Sequence, residues 1–375
     1  MTLREQNLRV FQRESLPSVF FQPRFEPWVD WHNKYGGLPE ELEGKTLREA
    51  YDMIGASMRT VNYYTGQPSP IDVSYDDTVK VSQREDEETV ETIYETPAGI
   101  LSEKSKLTVD GTWRVIEFPA KSAKDLSALL HLVTHRRFSY NKEAYQSGKA
   151  FISDRGEGHF WVPKSPWFAL AQQLMRYEDF VFAVIDCPDQ IAEIMESIDR
   201  SYDGMYEQLC SAEEVNILNF GENIADAYLS PGYYETYMQP WYEKRSGQLR
   251  DAGIFTHIHI DGNFRNLLPY LKDMPFDGLE ALTPTPQGDV ELDEMAEAMG
   301  DKILLDGIPA VYFLTHHSRE EMQACVERLV ELFHPRLVLG VSDELPEGST
   351  AEGWERLKWV ADYAKQYTGS AGSDR

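Results

Sequence analysis

The sequence is short of cysteine, of positive charge and of long apolar runs. Three cysteines, Cys187, Cys210 and Cys325, lie far apart in 375 residues. They suggest neither a disulfide framework nor a cysteine metal site, and they suit a reducing cytoplasm. Thirty-six Lys and Arg stand against 63 Asp and Glu, a formal net charge of −27, and no basic cluster offsets it. Such a surface repels phosphate backbones and anionic membranes, which argues against nucleic-acid binding. No stretch of about 18 apolar residues occurs, so no transmembrane helix is expected. The N-terminal 15 residues are charged throughout and lack an apolar h-region, so no signal peptide is expected. No Gly-rich phosphate loop follows any strand candidate, and no linker, repeat or low-complexity tract is visible.

What is present is core-forming material. The chain is 42% hydrophobic, with 20 Tyr, 17 Phe and 8 Trp. So many rings either pack a large core or line a pocket for a flat ligand, and composition leaves both readings open. The length suits one large domain or two ordinary ones.

The first 150 residues differ from the rest. Residues 18–22 read as a short buried strand, and 46–64 as a helix with Leu47, Ala50, Met53 and Ile54 at helical spacing. Alternating segments follow at 78–83, 88–95 and 113–118. Turns are supplied by Pro97-Ala98-Gly99 and Asp110-Gly111. This is an antiparallel meander, and 65–120 is expected to form an insertion or lid on one domain spanning 1–375. From about residue 150 strands and helices alternate. Strand candidates are 150–153, 159–162, 215–220, 254–260, 278–282, 302–305 and 337–341; helical stretches are 190–209, 233–252, 294–298, 319–333 and 353–367. Alternation implies a buried parallel sheet. With 18–22 the count is about eight, which predicts an α/β fold, a (β/α)8 TIM barrel with an N-terminal extension carrying the small meander. An open doubly wound sheet is the alternative.

In such a barrel the active site lies where strands end and loops begin. Along 254–260, alternation puts Phe255, His257 and His259 on one face, continued by Asp261, with Ile258 and Ile260 on the other. His257 lies deeper and reads as a core histidine; His259 and Asp261 lie at the mouth. Other strand ends add Glu222, Glu280, Asp306 and Asp343. Each alone could be a helix cap or ion-pair partner. Together they would repel one another unless a cation or bound substrate compensates, and Zn²⁺ with nitrogen and oxygen ligands is a candidate. His316-His317 read as a loop end, with Ser318 as N-cap of the helix that follows.

The order of several motifs resembles the uroporphyrinogen decarboxylase superfamily, including its cobalamin-dependent methyltransferases. They are Glu222-Asn223-Ile224-Ala225, Leu229-Ser230-Pro231, Pro240-Trp241-Tyr242, His259-Ile260-Asp261-Gly262-Asn263, Glu280-Ala281-Leu282-Thr283-Pro284, Gly288-Asp289, Asp306-Gly307-Ile308-Pro309 and 337–345. Thr96-Pro97-Ala98-Gly99 resembles a Thr-Pro-x-Gly of the methyltransferase-like branch. Decarboxylases of the family carry an N-terminal Arg-Gln-Ala-Gly-Arg; this chain has Phe21-Gln22-Pro23-Arg24-Phe25-Glu26 there, with one arginine left. Thiol methyltransferases of the family hold zinc with His-x-Cys and a later Cys, positions that fall on His259, Asp261 and Asp343. The resemblance therefore implies a harder, oxygen-rich metal site that polarises an oxygen, which disfavours thiol methylation and favours cleavage of a methyl donor.

The resemblance implies zinc on His259, Asp261, Glu222 and Asp343. It implies catalytic roles for His259, Glu280 and Asp306, and a substrate mouth formed by Arg24, Phe25, Trp28 and Trp31. The substrate would be a methoxylated, aromatic or other small methyl donor, and the methyl acceptor a cobalamin carried by a corrinoid-binding partner protein. The alternatives are a uroporphyrinogen decarboxylase-like lyase acting on a tetrapyrrole or other carboxylic acid, and a non-catalytic module presenting a small molecule or corrinoid.

Overall fold

The computed structural model describes residues 1–109, 112–226 and 228–367. The turn expected at Asp110-Gly111 lies outside the described residues. Two compact units divide the chain: Met1–Pro70, Lys142–Val162 and Glu213–Arg375 form one, Ile71–Asn141 and Pro163–Ala212 the other.

The first unit is mixed α/β around a parallel sheet of seven strands: β1 (Phe20–Phe21), β2 (Trp161–Val162), β3 (Ile217–Ile224), β4 (Phe255–Ile260), β5 (Gly278–Glu280), β6 (Ile303–Pro309) and β7 (Leu337–Ser342). Their order is β1-β7-β6-β5-β4-β3-β2, every neighbouring pair parallel. The strands β5, β6 and β7 are buried throughout, as expected where helices cover a parallel sheet. Those helices include Gln239–Asp251, Leu292–Met299, Arg319–Phe333 and Ala351–Gln366. Ser318 caps Arg319–Phe333 through a capping box, as its position before the apolar periodicity suggests.

Two expectations in this unit are corrected. The helix expected over 46–64 is only Leu47–Ile54, opened by the Thr46/Glu49 capping box and closed by Gly55 at φ 64°. Beyond it the backbone is engaged on two sides. The Ser57 N–H donates to the Phe21 carbonyl (2.9 Å), the His159 N–H to the Arg59 carbonyl (2.8 Å) and the Val61 N–H to the His159 carbonyl (3.0 Å). Thr60 and His159 form a parallel bridge. The strand expected at 150–153 is instead the end of the helix Lys142–Ile152 and a following turn. Ala144, Gly148 and Ile152 recur on its buried face, a four-residue period that wins over the β-branched Ile152.

The second unit carries the expected meander. Lys80–Glu85, Thr89–Thr96, Gly99–Leu107 and Trp113–Glu117 pair antiparallel in chain order. Gly99–Leu107 was not among the expected strands. Ile71–Tyr75 pairs antiparallel with Arg136–Tyr140 as a separate ribbon. The helix expected over 190–209 is two, Pro188–Ser201 and Asp203–Cys210. Among the described residues no helix is long and apolar enough to cross a membrane.

Candidate active site

The C-terminal parts of the parallel strands bring buried polar side chains together around Glu280, the last residue of β5. Arg59 Nη1 donates to Glu280 Oε1 at 2.7 Å and Asn219 Nδ2 donates to Oε2 at 2.5 Å. His257 Nδ1 lies 3.1 Å and His259 Nδ1 3.7 Å from the same Oε2. Arg59 also grips Asp306 on β6 with two bonds of 2.7 and 3.0 Å, and Gln22 with its Nε (3.0 Å) and Nη2 (3.1 Å). A guanidinium is suited to such a forked role. Asp306 holds φ at 74°. That backbone costs a non-glycine residue about 1–3 kcal/mol and persists where the surroundings over-determine it.

Gly340 on β7 makes room for the network. A Cβ there would lie 2.5 Å from Asp306 Oδ1 and 3.0 Å from the Gln22 carbonyl. Gly340→Ala is expected to lower stability by about 1–3 kcal/mol through overpacking. A urea midpoint equal to that of the parent chain would contradict this.

Burial raises the carboxyl of Glu280, but His257, His259 and Arg59 outweigh it and hold the group well below the usual carboxylate range. Glu280 is therefore an anion at neutral pH. A proton on His257 Nδ1, 3.1 Å from that anion, leaves Nε2 to accept. His159 Nδ1, 3.0 Å away, must then donate to it. Burial pushes both imidazoles below their ordinary value, and both are neutral links in a chain that ends on Glu280.

The pH dependence of stability follows. Unfolded histidine takes up a proton near pH 6.5, whereas the buried pair stays neutral to lower pH. The unfolded state binds more protons in that window, so stability falls as pH drops below about 6.5. The depressed Glu280 acts in the same direction at lower pH. Urea midpoints should hold above pH 7 and fall between pH 6.5 and 5; a flat profile would refute the neutral pair.

Towards the solvent, Arg24 pairs with Asp343 through Nη2 and donates from Nε to the Asp343 carbonyl (3.0 Å). It also lies 3.8 Å from Glu280 and 3.9 Å from Glu344. Four carboxylates thus meet two guanidinium groups, and the excess charge is negative. Tyr63 donates to Glu344 (2.7 Å), lies under Arg24 (5.5 Å) and meets Trp161 edge-on (5.3 Å). His259 Nε2 is buried, has no hydrogen-bond partner and lies 3.9 Å from Asp343 Oδ1, the oxygen that Arg24 engages.

The expected zinc set does not fit this arrangement. Asp261, just past β4, is half-buried, with its N–H on the Ile224 carbonyl (2.7 Å); Glu222 is buried on β3. Of the four expected ligands only His259 and Asp343 face each other, and Arg24 already engages Asp343. Zinc needs three protein ligands or more. Among the described residues no group of three His, Cys, Asp or Glu side chains could hold a metal ion.

Two of the expected mouth residues are core. Phe25 stacks on Tyr51 (4.2 Å), and Trp28 lies parallel to Trp354 (6.1 Å) and donates to the Ser349 carbonyl (2.8 Å); neither ring is exposed to solvent. Trp31 packs on Tyr35 (4.3 Å) one turn along its helix, half-buried. Trp28→Ala is expected to cost about 3–5 kcal/mol while leaving the KM of the folded fraction unchanged; a raised KM at full stability would return Trp28 to the substrate site. Arg24, by contrast, pairs with Asp343 and lies 3.8 Å from Glu280. Arg59, Gln22, Asn219 and His159 were not foreseen.

The sequence profile of the uroporphyrinogen decarboxylase (URO-D) family matches residues 162–363, more than half of the chain. No curated protein matches it. Among solved structures, a methyltransferase from Methanosarcina mazei is similar in fold, with a TM-score of 0.59 over 96% of this chain and 98% of that one at 14% identity. A B12-independent methionine synthase from Shewanella sp. W3-18-1, in complex with selenomethionine, covers 94% and 97% at 12% identity, with a TM-score of 0.43, too low to argue from. On its matched sequence and the fold that carries it, the chain belongs to the uroporphyrinogen decarboxylase family.

Proposed function

We propose that this chain is a methyltransferase that cleaves an oxygen-linked methyl group from a small, methoxylated aromatic donor and passes it to a corrinoid on a partner protein. In this reading the parallel sheet is a closed eight-stranded barrel, with 57–61 as the eighth member between β1 and β2. The hydrogen bonds of that segment to Phe21 and His159 support closure, and the fold shared with the Methanosarcina mazei methyltransferase is in keeping with it.

The observation that carries the proposal is His259. Its ring is buried, Glu280 stands behind Nδ1, and Nε2 has no hydrogen-bond partner. A carboxylate behind one nitrogen orients the imidazole and leaves the other to exchange a proton with substrate. The reduced corrinoid supplies the nucleophile for the methyl carbon. The methyl–oxygen bond breaks, its electron pair stays on the donor's oxygen, and His259 Nε2 delivers the proton that makes this oxygen a hydroxyl. Glu280, anionic, positions His259 and balances the imidazolium; it is not itself the acid. Arg24 supplies the fixed positive charge beside Asp343 that a metal would otherwise bring, and Tyr63 with Trp161 offers an aromatic wall. The excess of carboxylates disfavours a polycarboxylate tetrapyrrole, which argues against the decarboxylase alternative.

Because no step needs an ion, dialysis against 1,10-phenanthroline should leave methyl transfer within about twofold of the untreated rate on the account that Arg24 fills that role. Loss of turnover that zinc alone restores would overturn this part. The proposal itself is tested by incubating the protein with a series of methoxylated aromatics and cobalamin in its lowest oxidation state. It expects the corresponding phenol and methylcobalamin in equal amounts.

A further inference from the structure

The second unit holds a groove of about 570 Å³ that the active-site chemistry does not use. One wall is a face of the four-stranded meander, carrying Val81 and Tyr94, which pair across neighbouring strands, and Glu103. The other wall is the two-stranded ribbon, where the cross-strand pairs Val73/Phe138 and Tyr75/Arg136 line the groove. Volumes of this order hold small organic ligands.

Two opposite charges face this space without meeting. Arg136 is 9% exposed, its guanidinium lies 4.8 Å over the Phe138 ring, and it donates to the Tyr75 oxygen. Its Nε has no hydrogen-bond partner. A buried donor left unpaired is unusual, and on a guanidinium it is a donor that a carboxylate entering the groove would satisfy. Glu103 is half-buried, and burial pushes its carboxyl up. No ion pair joins it to Arg136 among the described residues. The same groove presents apolar surfaces unusual for an exposed sheet, with Val73 48% and Val81 44% exposed.

We propose that this groove binds a small zwitterion with an apolar body, an amino acid, whose carboxylate satisfies the unpaired Arg136 guanidinium, whose ammonium faces Glu103 and whose side chain covers the valines. A simple monocarboxylate would satisfy Arg136 but meet Glu103 with like charge. A simple amine would leave Arg136 unpaired.

The test is calorimetric titration of the full chain with L-leucine, L-phenylalanine and benzoate. Saturable binding of at least one of the two amino acids is expected, with benzoate at least tenfold weaker. Arg136→Gln should weaken the amino acid at least tenfold, Glu103→Gln severalfold, and His259→Ala not at all. If Arg136→Gln does not fold, as read by its circular dichroism and Tm, the half-buried Glu103→Gln and the benzoate comparison decide alone. Absence of saturable binding by both amino acids, equal affinity for benzoate, or binding unmoved in both groove variants would overturn the proposal.

Discussion

His259→Ala is expected to lower kcat/KM for methyl transfer by about 100- to 10,000-fold, the usual worth of a positioned general acid, with little change in stability. Glu280 lies 3.7 Å behind Nδ1 and Asp343 3.9 Å in front of an Nε2 that has no hydrogen-bond partner, so truncation removes a proton donor while the Arg59 bonds to Glu280 and Asp306 stay in place. The loss should depend on the leaving group. A donor whose phenol is strongly acidic needs little protonation, so the deficit should shrink as the phenol pKa falls. A deficit constant across such a series would reassign His259 to binding or structure. Glu280→Gln should give a smaller loss in kcat and move the alkaline limb of the pH profile to lower pH, because a general acid works protonated and the variant removes the negative charge behind the imidazolium rather than the imidazole itself.

Arg59→Met is expected to destabilise the fold strongly. Arg59 is buried and holds Glu280, Asp306 and Gln22 at once. Its removal strands two carboxylates out of water, and breaking a buried ion pair from one side costs about 3–5 kcal/mol. Urea unfolding reads this directly. Adding Asp306→Asn to Arg59→Met should recover part of the loss, because the stranded charge goes with its partner. Strict additivity of the two changes would contradict the network. Arg59→Lys should rescue little, since a single ammonium cannot reproduce the fork shared between Glu280 and Asp306.

Much of the site could be read from residues alone, and the reason is periodicity. The two-residue repeat of Phe255, His257 and His259 places both imidazoles on one face of β4, and His259 and Glu280 are indeed register partners across β4 and β5. Asp306 could be located because the strand β6 carries it inward before Gly307. Arg59 could not, because Leu47, Ala50, Met53 and Ile54 make a convincing helix that an extended reading of 46–64 absorbs. Gly55 was the signal that the helix ends, since its positive φ suits a C-terminal cap. The five residues after Ser57 are too few to show a period of two. Phe25 and Trp28 illustrate a different limit. Aromatic content raises the odds of both a pocket and a core, and only packing against Tyr51 and Trp354 separates them. The zinc set failed for a third reason: carboxylates gathered at strand ends need a compensating cation, and the chain supplies guanidinium groups from two loops far away in sequence.

The central claim is that His259 protonates an oxygen leaving a methyl group. It is tested most directly by a single-turnover reaction of the parent chain and of His259→Ala with a methoxylated aromatic and fully reduced cobalamin, following phenol and methylcobalamin together. The account predicts equimolar phenol and methylcobalamin from the parent chain and a rate at least 100-fold lower from the variant. Equal rates from the two proteins would contradict it, as would conversion of uroporphyrinogen to coproporphyrinogen by a chain that forms no phenol from any donor in the series.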